Sequence, residues 1–286
     1  MNTQFWLIQA FNGISYGALL FLVGSGLSLI FGVMRIVNLS HGSYFLLGGY
    51  VALSVIWTTG SWALALPVAA LSIAIVGLLM ERIFLRPLGF DPLRQVLLTV
   101  GFAFLFQQAA LDIWTGNNFD INPPDVLTKS VVVGGLYLPL YRVFMIATAL
   151  VIGIALWVAM EKTRMGAAVR ATVDDAQMAR GVGIDTSRIS MLIFSLGAFL
   201  AALGGVIGGA FLGVYPGLDF EMLPLAFAVV IIGGMGSLGG AAIGALLVGL
   251  ADNFGKALFP EVSYFTLYAP MALILAVKPT GLFGRE

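Results

Sequence analysis

The sequence contains no cysteine and only one histidine, His41, among its 286 residues. The absence of cysteine excludes a disulfide framework, a thiolate metal site and a cysteine nucleophile. One histidine and 14 scattered acidic residues leave little from which to build a metal centre, and we predict none. Lysine and arginine also number 14, so the formal net charge is zero, which argues against nucleic acid as a partner.

Charged residues of both signs are scarce. They make up 10% of the chain, whereas soluble domains carry roughly 25%. Hydrophobic residues make up 60%, and the mean hydropathy is +1.02. So few charges cannot cover a water-facing surface, which excludes a soluble globular enzyme and a disordered protein. The sequence therefore predicts an integral membrane protein.

A basic segment is missing from the start of the chain. The first positive charge is Arg35, after an apolar stretch that begins near Phe5. Since a cleavable signal peptide begins with a basic region, we expect this stretch to stay in the membrane as the first helix.

The charge-free runs predict an all-α, polytopic helical bundle that forms a single transmembrane domain over residues 1–286. A span needs about 20 mostly apolar residues, and charges mark where spans end. The predicted helices cover residues 5–33, 42–57, 62–81, 95–111, 139–160, 189–213 and 264–278, with a further apolar stretch at 221–250. Five glycines interrupt that stretch within 233–240, where an ordinary helix interior does not form. The bundle has nine transmembrane segments if this run separates two spans, and eight if it bends one.

Basic residues predict the orientation of the bundle, because they concentrate in cytoplasmic loops. The loop 114–138 is the candidate external loop, because Lys129 is its one basic residue. A valine–glycine run at 131–135 suggests a small hairpin there. The loops 81–94 and 161–188 contain eight basic residues, namely Arg82, Arg86, Arg94, Lys162, Arg164, Arg170, Arg180 and Arg188. We therefore predict that these two loops are cytoplasmic, that the N-terminus is external and that the C-terminus is cytoplasmic.

The charged loop 161–188 is rich in alanine between residues 164 and 185, which predicts a short cytoplasmic helix ended by Gly181 or Gly183. Two interpretations are open: a solvated connector, or a helix that docks a cytosolic partner. The chain has no G-x-x-x-x-G-K-[ST] loop with which to hold nucleotide phosphates. If transport is driven by ATP hydrolysis, other chains must bind the ATP.

Three segments spread over nearly the whole chain resemble the LivH-type permease subunits of ABC importers for branched-chain and other hydrophobic amino acids. They read GVMRIVNLSHGSYFLLGGYVA (32–52), RMGAAVRATVDDAQMARGVGID (164–185) and PLAFAVVIIGGMGSLGGAAIGALLVG (224–249). The resemblance implies a permease in a bacterial inner membrane, not an enzyme, with a branched-chain amino acid, urea, an amide or an aromatic acid as cargo. It also implies a second, LivM-like permease, two cytosolic ATPases that bind ATP and magnesium, and an external solute-binding protein. No cofactor of its own is implied.

The second of these segments looks like the cytoplasmic signature with which such permeases contact their ATPases. Its Gly-Ile pair corresponds to Gly183 and Ile184, whereas Gly181 departs from the larger apolar residue of relatives. The resemblance assigns ATPase coupling to Gly166, Arg170, Asp175, Ala179, Gly183 and Ile184.

The sequence Asn38-Leu39-Ser40-His41-Gly42 lies between two apolar runs and resembles the family's Asn-x-x-His-Gly. Polar residues at membrane depth are costly unless they face protein or a water-filled path. Two interpretations stay open. Asn38 or Ser40 caps the next helix while His41 faces lipid headgroups, or Asn38, Ser40, His41 and Gly42 line the translocation path.

The glycine run offers a similar choice. Its glycines serve either close helix packing or an unwound stretch that lets a gate bend. The second interpretation assigns Gly233, Gly234, Gly236 and Ser237 to the gate.

Few other ionisable groups lie within the predicted spans, and Asp112 and Glu221 are expected at span ends. Ion-coupled carriers usually mark their ion path with intramembrane carboxylates or histidines, so the shortage favours an externally powered pathway. An ion-coupled secondary transporter, a passive small-solute channel and a structural scaffold are the alternatives. A largely apolar wall predicts a coarse filter, with fine selectivity left to the external binding protein.

Overall fold

The computed structural model describes residues 3–89 and 91–284, and it is helical over most of this length. The helices are α1 (Thr3–Met34), α2 (His41–Thr59), α3 (Trp62–Met80), α4 (Pro92–Trp114), α5 (Leu140–Lys162), α6 (Arg164–Asp174), α7 (Ala176–Gly181), α8 (Thr186–Leu212), α9 (Leu218–Gly233), α10 (Leu238–Leu258) and α11 (Ser263–Val277). The hairpin predicted near 131–135 is confirmed: β1 (Ser130–Val133) pairs antiparallel with β2 (Leu136–Pro139).

Six helices within the described ranges are long and apolar enough to cross a membrane. They are Thr3–Met34, Trp62–Leu88, Pro92–Trp114, Leu140–Lys162, Thr186–Leu212 and Leu238–Leu258. The expected eight or nine segments exceed this number. The difference lies in α2, which begins with polar residues, and in α9 and α11, which have 16 and 15 residues.

The turn between α2 and α3 shows how local sequence ends one helix and begins the next. Gly60 adopts a left-handed φ of 68° and closes α2 by donating its N–H to the carbonyl of Ile56. Ser61 then caps α3 by accepting a hydrogen bond from the N–H of Leu64.

Two of the predicted cytoplasmic segments differ from expectation. Much of the predicted loop 81–94 is helical, because α3 continues through a π-helical turn at Glu81–Leu85 and a 3₁₀ turn at Arg86–Leu88. Leu85 is buried and anchors this extension. The predicted single helix after residue 163 is two helices, since Asp175 leaves helical geometry (φ −153°, ψ 102°) and caps α7.

Close contacts between small residues hold the inner helices together. A Cβ on Gly13 of α1 would lie 3.0 Å from the Cα of Leu250 in α10, and one on Gly26 would lie 3.1 Å from the Cα of Gly197 in α8. Since lipid is as apolar as leucine, helices in a membrane associate through such close packing. Glycines at these positions therefore let the backbone of α1 approach those of α8 and α10 directly.

The helices differ greatly in burial. In the most apolar 18 residues of α1 and of α8, 72% of the residues are buried. The corresponding share is 17% in α4 and in α5. The inner helices α1 and α8 thus form the core. The connection between α1 and α2 and the glycine run at 233–240 both pack against α1.

Candidate functional site

The connection between α1 and α2 carries the predicted polar residues, and the protein buries them. Asn38, Ser40 and His41 have no solvent exposure. The Asn38 side-chain oxygen accepts hydrogen bonds from the N–H of Ser40 at 3.1 Å and from its hydroxyl at 2.7 Å. The side chain of Ser40, the N-cap residue, makes no capping hydrogen bond to α2. The helix-cap interpretation of these side chains is therefore wrong.

Neighbouring helices complete this polar cluster. The hydroxyl of Thr99 in α4 accepts a hydrogen bond from the N–H of Leu39 at 3.2 Å. The hydroxyl of Tyr44 lies 3.4 Å from that of Ser40 and 2.9 Å from the sulfur of Met80 in α3. Three helices thus enclose the connection and satisfy part of its hydrogen-bonding capacity.

His41 lies deep in the bundle. Its Nε2 is 3.0 Å from the carbonyl oxygen of Val23 in α1, and because a carbonyl only accepts, Nε2 carries the proton. Val23 lies 11 residues before Met34, the last residue of α1, which corresponds to about 16 Å along the helix. The interpretation of His41 as a residue facing headgroups is therefore wrong.

Gly42 brings α2 against the start of α9. A side-chain Cβ at this position would collide with the carbonyl oxygen of Asp219, so the backbones meet directly. At the next residue of α2, the Ser43 hydroxyl donates a hydrogen bond to Asp219 Oδ2 at 3.2 Å. Asp219 is 2% exposed.

Asp219 is a polar residue that the sequence analysis did not single out. It lies two residues before Glu221, which was expected at a span end and is indeed exposed. The available signal was a carboxylate between the apolar residues Leu218 and Phe220 in a helix with no basic residue.

The glycine run forms the second non-helical segment. α9 ends at Gly233 and α10 begins at Leu238, and between them Gly234 and Gly236 adopt φ values of 99° and 81° that strain any other residue. Ser237 caps α10 by accepting a hydrogen bond from the N–H of Gly240 at 3.0 Å.

The glycine run also packs against α1. The Ser28 hydroxyl donates to the carbonyl of Ser237 at 3.3 Å, and Gly236 packs directly on Gly32. His41 contacts the same helix at Val23 and Gly26. The two predicted pathway segments therefore lie at different heights along α1, and no hydrogen bond joins them among the residues that the structure describes.

In segment 161–188, the predicted coupling residues contact other parts of the segment and the end of α5. The Arg170 guanidinium donates to the carbonyl of Met160, 3.7 Å from the carboxylate of Glu161, and Gly166 packs on the same end of α5. Asp175 accepts from the N–H groups of Gln177 and Met178.

The predicted coupling residues at the end of this segment also make their contacts within the segment. Ala179 is buried and its carbonyl accepts from the N–H of Ile184 at 2.9 Å, across Gly183 with a φ of 89°. The exposed apolar residues are different ones: Met178 is 70% and Val182 is 79% exposed.

Metal binding finds no support in the described part of the chain, residues 3–89 and 91–284. No group of three or more histidine, cysteine, aspartate or glutamate residues is placed there so that it could hold an ion.

Comparison with known proteins gives this architecture a family. The chain is 32% identical to the high-affinity branched-chain amino acid transport system permease protein LivH of Salmonella typhimurium, over 100% of this chain and 98% of that protein. It is 28% identical to the corresponding permease protein BraD of Pseudomonas aeruginosa, over 98% and 96% of the two chains. It is also 28% identical to the permease protein LivM of Escherichia coli, over 91% and 67%.

The match extends to the family as a whole. Residues 9–275 fit the family described as the permease component of branched-chain amino acid transport systems. Together with six long apolar helices, this identifies a multi-pass protein of the bacterial inner membrane that transports rather than catalyses. The chain belongs to the family of branched-chain amino acid transport system permeases.

Proposed function

We propose that this chain is the permease subunit of an ABC importer that carries a branched-chain or similar hydrophobic amino acid inward. The observation that carries the proposal is similarity over the full length to LivH and BraD, whose names state branched-chain amino acid transport. Its single domain, residues 1–286, forms the moving walls and takes no cofactor of its own.

Nine membrane crossings fit the bundle best, with the N-terminus external and the C-terminus cytoplasmic. The basic segments alternate with the external hairpin in the way that the positive-inside rule requires. α9 and α10 pack antiparallel, since Gly233 meets Gly240 while Gly244 meets Val229 one turn further on. In this topology α2, α9 and α11 also cross the membrane. Other helices cover much of α2 and α9, and α11 is apolar over Tyr268–Val277.

The translocation path is proposed to run beside the buried connection between α1 and α2. Asn38, Ser40, His41 and Gly42 line it, because buried polar groups at membrane depth are expected next to a route for a polar solute. The Asn38 amide nitrogen and His41 Nδ1 have no hydrogen-bond partner in the described ranges. Such groups are available to water or to the cargo when the path opens.

Gly233, Gly234, Gly236 and Ser237 are proposed as the gate. Positive φ angles at two of these residues let the chain turn without side chains. One hydrogen bond from Ser28 ties the segment to α1, and the N–H of Phe283 ties it to the end of the chain by donating to the carbonyl of Gly233, so these are the hydrogen bonds that bending at the gate would break.

The assembly is proposed to contain a second, LivM-like permease, two cytosolic ATPases that bind ATP and magnesium, and an external solute-binding protein. Similarity to both LivH and LivM supports a pair of related permeases. The coupling segment formed by α6 and α7 presents Met178 and Val182, which are exposed on the side that basic residues mark as cytoplasmic. Exposed apolar residues outside the membrane are typical of a protein contact.

Copurification tests the assembly. The tagged protein is extracted in mild detergent, and the proteins that accompany it are identified. We expect two ATPases and a second permease, together with leucine uptake in proteoliposomes that requires ATP and the binding protein. Uptake by the lone chain that collapses with ionophores would indicate a secondary transporter, and uptake without ATP or gradient a channel.

A matched pair of variants tests the coupling segment. Val182→Glu places a charge on the exposed apolar surface and should lower ATPase association about tenfold, since a buried unpaired charge in an interface is costly. Val132→Glu in the external hairpin is the control, since this valine is also exposed to solvent, at 57%, and its substitution should leave association unchanged. Equal association of both variants would contradict the proposed contact.

A further inference from the structure

Asp219 is a buried carboxylate with an incomplete set of partners. It lies in the first turn of α9 and is 2% exposed. Its Oδ2 accepts one hydrogen bond from Ser43, and its Oδ1 has none. Within residues 3–89 and 91–284 no lysine, arginine or histidine lies within 4.0 Å of it.

A lone buried carboxylate needs compensation. A charge removed from water is costly unless it is paired and hydrogen-bonded. The N-terminus of α9 supplies part of that compensation through the helix dipole, and Ser43 supplies one hydrogen bond. Neither supplies a positive charge, so a cationic group is the partner that this position lacks.

Tyr50 provides a second unpartnered group nearby. It follows Ser43 by seven residues on α2, which places the two side chains on the same face of the helix. It has no solvent exposure, its hydroxyl has no hydrogen-bond partner in the described residues, and it lies within electrostatic range of Asp219. Its ring is stacked on that of Trp114 at a centroid distance of 4.9 Å, which holds it in place.

The approach of the helices keeps these groups closed off. Gly42 brings the α2 backbone onto the carbonyl of Asp219 without interlocking side chains. Separation of α2 from α9 would therefore uncover the carboxylate and the face of α2 that carries Ser43 and Tyr50.

We propose that Asp219, Ser43 and Tyr50 form a transient binding site for the primary ammonium group of the cargo. This inference rests on the proposed amino acid importer function and names the part of the amino acid that the membrane path recognises. An ammonium group carries a positive charge and three N–H donors, so it pairs with Asp219 Oδ1 and keeps further N–H groups for the hydroxyl oxygens of Ser43 and Tyr50. The path then selects for the ammonium group, while the external binding protein selects the side chain.

Ligand-induced stabilisation of the purified permease complex tests the site without requiring transport. Three probes separate the functional groups: leucine, isoamylamine, which has the ammonium but no carboxylate, and isocaproate, which has the carboxylate but no ammonium. We expect leucine and isoamylamine to raise the melting temperature of the complex and isocaproate to leave it unchanged. Sodium chloride serves as the control for a simple cation.

Variants connect the effect to Asp219. Asp219→Asn should abolish stabilisation by both amines, and Asp219→Glu, which keeps the charge, should restore part of it. Glu221→Gln is the matched control, because this carboxylate lies on the same helix turn but is exposed and bound by the hydroxyl of Tyr215. Should Asp219→Asn fail to assemble, Tyr50→Phe removes only the hydroxyl and should weaken stabilisation by the amines.

The outcomes are distinct. Equal stabilisation by isocaproate and isoamylamine, stabilisation by sodium alone, or an undiminished response in both Asp219→Asn and Tyr50→Phe would overturn the ammonium site. Failure of the proposed function is seen separately, as absence of leucine uptake by the wild-type complex supplied with ATP and binding protein.

Discussion

The two non-helical segments that pack against α1 find hydrogen-bond partners for their polar groups in different ways. Between α1 and α2 the chain uses side chains: Asn38 accepts from both groups of Ser40, and Thr99 accepts from Leu39. Between α9 and α10 the backbone bonds to backbone, as where Ser237 donates its N–H to the carbonyl of Gly234 and Phe283 donates to that of Gly233. Both solutions meet the requirement that polar backbone groups in a membrane find partners within the protein.

The difference has a functional consequence. The side-chain solution leaves unpartnered polar atoms on Asn38 and His41, beside the buried Asp219. In the glycine segment, Ser237 is used twice, as the cap of α10 and as the acceptor for Ser28. The first segment is thus equipped to meet a polar solute, and the second to pack closely and to turn.

The largest expected effect is on the glycine segment. Gly234→Leu adds a side chain at a φ of 99° and against the backbone of Phe283 and Gly284, which should cost about 2–5 kcal/mol from strain and overpacking. We expect the variant to lose assembly, measured as folded complex in detergent. Gly239→Leu is the control, since no atom lies within 4 Å of its Cβ. Normal assembly and uptake by Gly234→Leu would show that the segment tolerates side chains after all.

A smaller change tests the contact between α2 and α9. Gly42→Ala places a methyl group on the carbonyl of Asp219 and forces the helices apart, so we expect leucine uptake to slow by up to about a hundredfold, the effect that a 1 Å misplacement can have on positioned groups. Gly101→Ala in α4, where a Cβ meets open space, should leave uptake unchanged. Identical rates for the two variants would remove the functional distinction between the segments.

His41 provides a test of intermediate size. His41→Ala removes a buried donor to Val23 and leaves a void, which should lower the stability of the complex by about 1–3 kcal/mol. His41→Gln keeps an N–H donor of similar reach and should recover part of the loss. The measurement is the melting temperature of the purified complex, and no difference between the two variants would mean that the hydrogen bond is dispensable.

The smallest effect is expected at Ser40. Ser40→Ala removes the 2.7 Å hydrogen bond from the serine hydroxyl to Asn38 but keeps the one from the backbone N–H. The free energy of unfolding of the complex should therefore fall by about 1 kcal/mol. Asn38→Ala removes both and should cost more. If Ser40→Ala proves as damaging as Asn38→Ala, the serine hydroxyl has a role beyond this turn.

Local sequence was sufficient for the features that depend on composition and neighbouring residues. The scarcity of charge identified a membrane protein, and the runs between charges located α1 to α5 and α8 to within a few residues. Glycine pairs identified packing surfaces, because close backbone approach needs small residues whichever helix is opposite. Segment 81–94 was mistaken for a loop, since Leu85 is held in a helix by burial that its own neighbours do not reveal.

Tertiary structure alone decided which polar residues are buried together. Ser43 and Asp219 are 176 residues apart in sequence, and Leu39 and Thr99 are 60 apart. The helices α1, α3 and α4 enclose the polar residues of the α1–α2 connection. Without that enclosure, Asn38, Ser40 and His41 would be free to cap a helix or to face lipid headgroups. The cost of a buried polar group depends on the partners that surround it, and those partners come from distant parts of the chain. The sequence by itself therefore determined a glycine-rich helical membrane protein, while its folding brought an unpaired carboxylate to the side of the connection between α1 and α2.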